Sequence, residues 1–197
     1  MRYAGTHKDE THEALLRAAA AQLREKGPDR LSVAGVMKSA GLTHGGFYAH
    51  FKSKDALLTE TLADAFARSR ERVRRLLDGL PPKAALATYV DFYVSPAHRD
   101  NPREGCPIAA LSSDTPRQTK KFRAAFEAGL KELANAMAAR MDAAGVADAG
   151  RLAPVILAAM AGAVALARNV SDTALSDELL ASARAGIKAR LGLNDLA

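Results

Sequence analysis

Apolar residues recur at every third or fourth position along almost the entire chain, and this spacing limits the fold more than any other feature. Leu15, Ala19 and Leu23 follow one another at a four-residue step, and Phe122 and Phe126 begin a similar series further along. Such steps place side chains on one face of an α-helix. No segment alternates apolar and polar residues for long enough to form a strand, and aromatic residues make up only 5% of the chain. The sequence therefore predicts an all-α protein.

Glycine and proline residues divide this helical pattern into segments. Gly27 is a candidate for a left-handed helix end, and Pro28 cannot continue the helix before it. The polar segment 95–105 contains two prolines and is predicted to be a loop. The predicted helices cover about residues 8–26, 32–40, 43–50, 54–77, 82–93, 108–111, 116–143, 151–169 and 174–191.

The basic charge is concentrated towards the N-terminus. Over the whole chain, 28 Lys and Arg residues exceed 22 Asp and Glu residues, which gives a net charge of +6. Residues 1–75 carry 14 basic and 9 acidic side chains, a net of +5, whereas the remaining residues carry 14 and 13, a net of +1. A local basic excess of this kind is compatible with a polyanionic partner.

Two short predicted helices, 32–40 and 43–50, meet at Gly41 and Leu42 and form a candidate helix-turn-helix. In such a unit the second helix lies in the major groove of DNA, with its first residues against the base edges. Thr43 offers a hydroxyl at the start of this helix, where a phosphate is also favoured. Gly45 and Gly46 follow His44, and each glycine costs a helix roughly 1 kcal/mol relative to alanine. A close approach of the backbone to another molecule can offset that cost.

The rest of the second helix separates into inward and outward positions. Phe47 and Phe51 are four residues apart and are expected to anchor the helix in the core. Tyr48 and His50 then point elsewhere, towards DNA, and Lys54 adds positive charge at the end of the unit. The alternative is that the tyrosine and the histidine are ordinary surface residues.

The segment SVAGVMKSAGLTHGGFYAHFKSKDALL, which begins at residue 32, resembles the DNA-binding region of TetR-type transcriptional regulators. The resemblance rests on the pattern Phe-Tyr-x-His-Phe-x-x-Lys-Asp-x-Leu from residue 47 and on Gly27 and Gly41, which lie where the family has glycines. It covers about residues 10–60. Met37 and Pro28 depart from the family, which usually has an alanine and commonly an aromatic residue at these positions.

The resemblance implies a homodimer, an operator with two-fold symmetry, and a helical C-terminal domain that binds a small effector. It implies a DNA-binding domain over residues 1–53 and an effector-binding and dimerisation domain over residues 54–197, connected by helix 54–77. We therefore interpret the chain as a repressor that binds double-stranded DNA and that a small molecule releases from it. The implied phosphate contacts come from Ser32, Tyr48, His50 and Lys54, and the residues implied to face the bases are Thr43, His44 and Gly45, together with Tyr48. Gly46, in the same turn, is also included among the DNA-binding residues.

The C-terminal half supplies candidates for the dimer interface and the effector pocket. The uncharged run 152–167 is rich in alanine and is short for a membrane span. We expect helices 151–169 and 174–191 to form a four-helix face with a second chain, although helix 151–169 is alternatively only part of the monomer's core. The effector is expected to be small and mostly apolar. Candidate pocket residues, each alternatively a core residue, are Tyr89, Phe92, Tyr93, Phe122, Phe126, Met137 and Met160.

Cys106 is the only cysteine and precedes Pro107 at the predicted start of a short helix. The positive end of that helix, with Arg103 nearby, is expected to lower the pKa of the thiol. This predicts a sensor of oxidants or electrophiles, and the alternative is a small apolar residue that fills a gap. One cysteine and a polar N-terminal stretch are typical of a cytoplasmic protein.

No catalytic motif is recognisable in the sequence. It has no phosphate-binding glycine loop, nucleophile elbow or paired-histidine metal motif, so we expect no enzyme activity, no cofactor, no metal and no membrane association. The arginines between residues 68 and 75 are interpreted as a solvated helix face. Two other functions stay open: a nonspecific helical DNA-binding protein, and a helical ligand carrier or enzyme with a vestigial helix-turn-helix.

Overall fold

The computed structural model describes the backbone of residues 3–193 and their side chains, except those of residues 3–8 and 44. No strand occurs in this range, which confirms the all-α prediction. Three short 3-10 helices, His44–Ala49, Pro102–Glu104 and Thr115–Arg117, lie between longer helices. Within the same range the nine α-helices are α1 (Tyr3–Arg30), α2 (Val33–Ser39), α3 (Lys54–Leu76), α4 (Pro82–Tyr93), α5 (Pro96–Asp100), α6 (Pro107–Leu111), α7 (Lys120–Ala143), α8 (Ala149–Arg168) and α9 (Thr173–Arg190).

The segment 95–105 is not the loop that its composition predicts. Ser95 caps α5 because its hydroxyl oxygen accepts the backbone N–H of His98 at 3.1 Å. Pro96 and Pro102 each occupy the first turn of a short helix, where a missing N–H costs nothing. The two prolines therefore start short helices here. At Gly27 the backbone has φ 78°, so α1 is broken at the predicted place although helical turns continue to Arg30.

α3 connects the N-terminal helices to the C-terminal ones, because it packs against both α1 and α7. Its buried face runs along the whole helix and includes Leu57, Leu62, Phe66 and Val73. Ser53 caps its first turn by accepting the backbone N–H of Ala56 at 3.0 Å. The continuous apolar face of α3 thus packs against the N-terminal helices at one end and the C-terminal helices at the other.

α7 packs closely on α3 at Gly129. A Cβ atom at this position would lie 2.3 Å from the Phe66 ring, which is nearer than any real contact. Phe66 is fully buried, and its ring also meets Phe126 edge to face, with centroids 5.7 Å apart. Glycine is needed here for space, since the backbone of Gly129 is ordinary α-helix.

His98 ties together α4, α6 and α8. Its Nδ1–H donates to the Tyr93 carbonyl at 2.6 Å, and its Nε2 accepts the backbone N–H of Cys106 at 2.9 Å. The Arg168 guanidinium donates to the His98 carbonyl at 2.7 Å. Because one ring nitrogen must accept, the imidazole is neutral, and burial lowers the pKa of His98 to about 4. Gly105 leaves space for this ring, since a Cβ there would lie 2.9 Å from Nε2.

α8 is buried on one side only. By length and composition it is the one helix within residues 3–193 that could cross a membrane. Ala153, Ile156 and Met160 are buried and pack in the core, where α8 contacts α7 and α9. Val155 and Leu166, by contrast, are 49% and 61% exposed. Part of the apolar character of α8 is therefore explained by core packing, and the rest lies on an outer face.

Substitution of Gly129 by alanine should destabilise the protein by about 1–3 kcal/mol, because the new methyl group overlaps the buried Phe66 ring. Gly150→Ala is the matched control, since a Cβ at Gly150 meets no other atom within 4 Å. Urea unfolding followed by circular dichroism measures both variants. Equal stability of the two would contradict the close packing of α3 on α7.

The stability of the wild-type protein should fall as the pH drops from about 6.5 to about 4. In this interval the unfolded chain binds a proton that the folded His98 does not, so the stabilisation is complete above pH 6.5 and is lost on acidification. Its upper limit is about 3 kcal/mol, at 1.36 kcal/mol per pKa unit.

His98→Gln should remove this component, because glutamine does not titrate and its amide oxygen can accept the Cys106 N–H. Urea unfolding of both proteins at a series of pH values gives the comparison. Parallel stability curves for wild type and variant would show that His98 does not titrate in this way.

Candidate nucleic-acid interface and regulatory region

The helix-turn-helix forms through local capping and a glycine turn. Ser32 is exposed, and its hydroxyl oxygen caps α2 by accepting the backbone N–H of Gly35 at 3.2 Å. After α2 the chain turns at Gly41, which has φ +73°, a conformation that favours glycine. The Leu42 N–H then bonds to the Met37 carbonyl at 2.9 Å. These bonds fix the direction in which the next helix leaves the turn.

The second helix of the unit is a 3-10 helix over His44–Ala49 instead of the predicted α-helix. The Gly46 N–H bonds to the Thr43 carbonyl at 3.1 Å, and the His50 N–H bonds to the Phe47 carbonyl at 3.0 Å. Two glycines in six residues weaken the α-helical alternative, and 3-10 geometry is usual in such short pieces. Thr43 precedes the helix with an extended backbone, and its exposed side chain makes no capping bond.

Phe47 and Phe51 anchor the short helix, as predicted. Each is 3% exposed, and their ring centroids lie 5.8 Å apart. Phe51 also stacks on the ring of His12 from α1, with centroids 4.7 Å apart. Tyr48 lies on the opposite side and is 74% exposed, the largest exposure among the big apolar side chains of the described residues. The short helix thus buries one side and presents the other.

Gly45 has no internal reason to be glycine. A Cβ there would meet no other atom within 4 Å, and the backbone is not in the left-handed region. A Cβ at Gly46 would reach Met37 Cε at 3.5 Å, which is an ordinary contact. Met37 itself is buried, so the departure from the family at this position is accommodated in the core. The cost of Gly45 to the helix is not offset inside the protein.

His50 and Lys54, which are also predicted to contact DNA, are less open to solvent. His50 is half-buried, and its ring centroid lies 6.2 Å from that of His12, whose Nε2 lies 2.5 Å from Glu60 Oε1. Lys54 donates from Nζ to the Asp29 carbonyl at 3.2 Å. The His44 side chain lies outside the described part. Sequence reasoning missed the pairing of His12 with Glu60, because 48 residues separate them.

The predicted effector-pocket residues fall into three places. Tyr89 and Tyr93 are buried beside His98 and Cys106, where the remaining cavity is only about 20 Å³. Phe126 instead lines an apolar groove of about 590 Å³ between α6, α7 and α8. Phe92 is 38% exposed and stacks on His98, whereas the buried core holds Phe122, Met137 and Met160.

Cys106 is buried, and the predicted lowering of its pKa is wrong. Burial raises the pKa of the thiol, because the charged form loses its hydration. The backbone N–H groups at the start of α6 act in the opposite direction, but more weakly. Arg103 does not help, since its guanidinium pairs with Glu25 at 2.6 Å. The Tyr93 hydroxyl beside the thiol is buried as well, and it also acts to lower the pKa of Cys106, again less strongly than burial raises it.

Contacts of α1 and of the start of α3 with residues 103–119 were not predictable from sequence spacing. The Arg24 guanidinium donates to the Arg103 carbonyl at 2.7 Å. Thr119 donates to Asp55 Oδ1 at 2.7 Å, and the Gln118 amide donates to the Asp29 carboxylate at 3.1 Å. No group of three potential metal ligands occurs among the side chains that the structure describes.

Comparison with known proteins places these features in a family. The sequence model described as "Bacterial regulatory proteins, tetR family" matches residues 15–61, and "Transcriptional regulator LmrA/YxaF-like, C-terminal domain" matches residues 82–179. The transcriptional regulator AcuR of Cereibacter sphaeroides is 31% identical over 119 residues, which are 58% of this chain and 53% of AcuR. The HTH-type regulator YvdT of Bacillus subtilis is 32% identical over 68 residues, 34% of this chain and 35% of YvdT.

The alignments with AcuR and YvdT span only about a third to a half of those curated relatives. Solved structures, by contrast, match nearly the whole chain. A TetR transcriptional regulator from Chloroflexus aurantiacus has a TM-score of 0.78 and 26% identity, and covers 98% of this chain and 97% of its own. E. coli NemR in its reduced form also has a TM-score of 0.78, at 21% identity, over 91% of this chain and 96% of its own. With both halves matched by family models, the chain belongs to the TetR family of bacterial transcriptional regulators.

Proposed function

We propose that the protein regulates transcription by binding a two-fold symmetric DNA operator through residues 43–50. The observation that carries this proposal is the outer side of the short 3-10 helix. There Tyr48 is 74% exposed, and Gly45 has no role in internal packing. A backbone without a side chain can lie directly against a base pair, and this approach offsets the cost of the glycine.

The DNA contacts divide into two kinds. Thr43, His44, Gly45 and Gly46, with Tyr48, face the base edges, whereas phosphate contacts position the unit on the duplex. The exposed Ser32 hydroxyl sits at the start of α2, where a phosphate is favoured. To contact a phosphate, Lys54 has to give up its hydrogen bond to the Asp29 carbonyl. The half-buried His50 reaches a phosphate with the exposed edge of its ring.

The dimer forms through the outer faces of α8 and α9. On α8 the exposed residues include Val155, Ala158, Ala159 and Leu166, and Gly162 lies between them. Small side chains let helices approach closely, and the larger ones supply apolar area that a second chain buries. This accounts for the apolar face of α8 that the core leaves uncovered.

Regulation follows from the distance between the two short helices of the dimer. Successive major grooves on one side of the duplex are about 34–36 Å apart, so only one arrangement of the two subunits fits. The DNA-binding domain comprises residues 1–53, and residues 54–197 form the effector and dimer domain. An effector that favours another arrangement weakens DNA binding, and DNA weakens effector binding by the same factor.

The effector site lies beside Tyr89, Phe92 and Tyr93. The cavity there is about 20 Å³, so a small molecule has to displace side chains to enter. The buried Tyr93 hydroxyl offers it a hydrogen bond. The effector is small and mostly apolar, and its binding moves α4 relative to α3. We propose a cytoplasmic protein without enzyme activity.

Selection of duplex DNA from a random pool, followed by a salt titration, separates this function from its alternatives. A recovered inverted repeat supports an operator-binding dimer. Binding that is equal for all sequences and steeply salt dependent points to a nonspecific DNA-binding protein. If the protein retains no DNA from the pool, the remaining interpretation is a helical carrier or enzyme.

Lys54→Ala should weaken binding equally for every DNA sequence and reduce the steepness of log K against log salt by about one unit per subunit, or about two for the dimer. The reason is the loss of one phosphate contact per subunit. Lys83→Ala is the matched control, because Lys83 is an exposed lysine at the start of α4. Fluorescence anisotropy over a salt series measures both. An unchanged slope for the Lys54 variant would remove this residue from the interface.

Leu166→Glu should convert the dimer to monomers, because a charge is then buried in the interface that the α8 face forms. Leu80→Glu changes another exposed leucine, in the turn between α3 and α4, and should leave the dimer intact. Sedimentation velocity gives the oligomeric state of each. If the Leu166 variant stays dimeric, the interface lies on another surface.

A further inference from the structure

A cleft of about 510 Å³ lies between α1, α3 and the 3-10 helix Pro102–Glu104. The sequence interpretation of residues 68–75 as a solvated face is only partly right, because alternate arginines of this run turn towards the cleft. Arg70 points away and pairs with Glu132 of α7. The charged residues that line the cleft are Arg17, Arg24, Arg68, Arg72, Arg75 and Glu104, and the others are alanine, serine and glycine.

Positive charge exceeds negative charge in this cleft. Arg24 is the most enclosed of its arginines, and its guanidinium donates to the Arg103 carbonyl instead of a carboxylate. Burial and the neighbouring Arg72 lower the pKa of Arg24, although Glu104 opposes them. A cation held in this way is stabilised by any anion that reaches it.

The other four arginines each have a carboxylate partner. The pairs are Arg72 with Glu104, Arg17 with Glu13 at 3.4 Å, Arg68 with Asp64 at 2.7 Å, and Arg75 with Glu71 at 3.2 Å. A guanidinium carries five N–H donors, so one carboxylate leaves donors unused. Ion pairs at a protein surface contribute little stability, so an incoming anion can share or replace these partners.

We propose that this cleft binds a compact polyanion with at least two phosphate or carboxylate groups. Planar guanidinium groups bind both kinds of group through paired hydrogen bonds. The small side chains between the arginines leave the volume that such a ligand needs, and the absence of aromatic rings from the lining disfavours a stacked base. The cleft adjoins the small cavity beside Tyr89 and Tyr93, because Ser69, Arg72, Glu104 and Gly105 line both.

A polyanion in this cleft contacts three elements whose relative position matters. α1 packs against α2 of the helix-turn-helix, α3 joins both halves, and the Pro102–Glu104 turn leads through Gly105 to Cys106. A ligand that bridges Arg24 and Arg72 holds α1 against the C-terminal half. Its effect on DNA affinity rests on the function proposed above, whereas its binding to the cleft does not.

The test is isothermal titration calorimetry of the full-length protein with pyrophosphate and, separately, citrate at constant ionic strength. Arg72→Gln is compared with Arg70→Gln, because both arginines lie on α3 and each pairs with a glutamate of its own. Their side chains are also similarly exposed, 41% for Arg72 and 34% for Arg70. We expect Arg72→Gln to weaken binding by about tenfold or more and Arg70→Gln by less than about twofold. Binding of pyrophosphate alone identifies a phosphate ligand, and binding of citrate alone identifies a carboxylate ligand.

Two results would overturn the proposal: neither anion binds, or the two substitutions weaken binding equally, which indicates only diffuse charge. Circular dichroism checks that Arg72→Gln folds. If it does not, Arg75→Gln decides by the same comparison, because that side chain is 71% exposed and its loss leaves no buried charge. DNA affinity is measured in parallel, so loss of operator binding leaves the calorimetric result valid.

Discussion

Burial of the apolar face of α3 is the interaction on which the rest of the structure depends. Leu57 and Leu62 are completely buried at one end, and Phe66 and Val73 continue the same stripe into the C-terminal helices. A helix packed along its length moves as one body, because close-packed side chains resist local rearrangement. α3 therefore fixes the position of the N-terminal helices relative to the C-terminal ones, since it packs against both α1 and α7.

Gly45 of the short 3-10 helix differs from Gly105 and Gly129 in its surroundings. Gly129 and Gly105 are small because a ring from elsewhere in the chain occupies the space next to them. Gly45 has open space around it, so internal packing does not require a glycine there. The first two glycines make close packing possible, whereas the third lowers the stability of the short helix.

Much of the fold could be predicted from the sequence, because helices are local structures with local signals. The four-residue apolar steps, the serine caps at residues 32 and 53, and Gly27 and Gly41 mark boundaries within a few residues of those observed. The anchoring of Phe47 and Phe51 was predictable for the same reason. The short helices between residues 96 and 104 were missed, since prolines start a helix as readily as they end one.

The sequence by itself determined the all-α class, the order of the helices and the helix-turn-helix motif, because these depend on spacings of a few residues. Only the tertiary structure decided the environment of each charged or titratable group. It buried Cys106 and raised the pKa of the thiol, and it brought Arg24 next to Arg72. Hydration and charge depend on neighbours that are distant in sequence, and the packing of α1, α3 and α6 determines which neighbours those are.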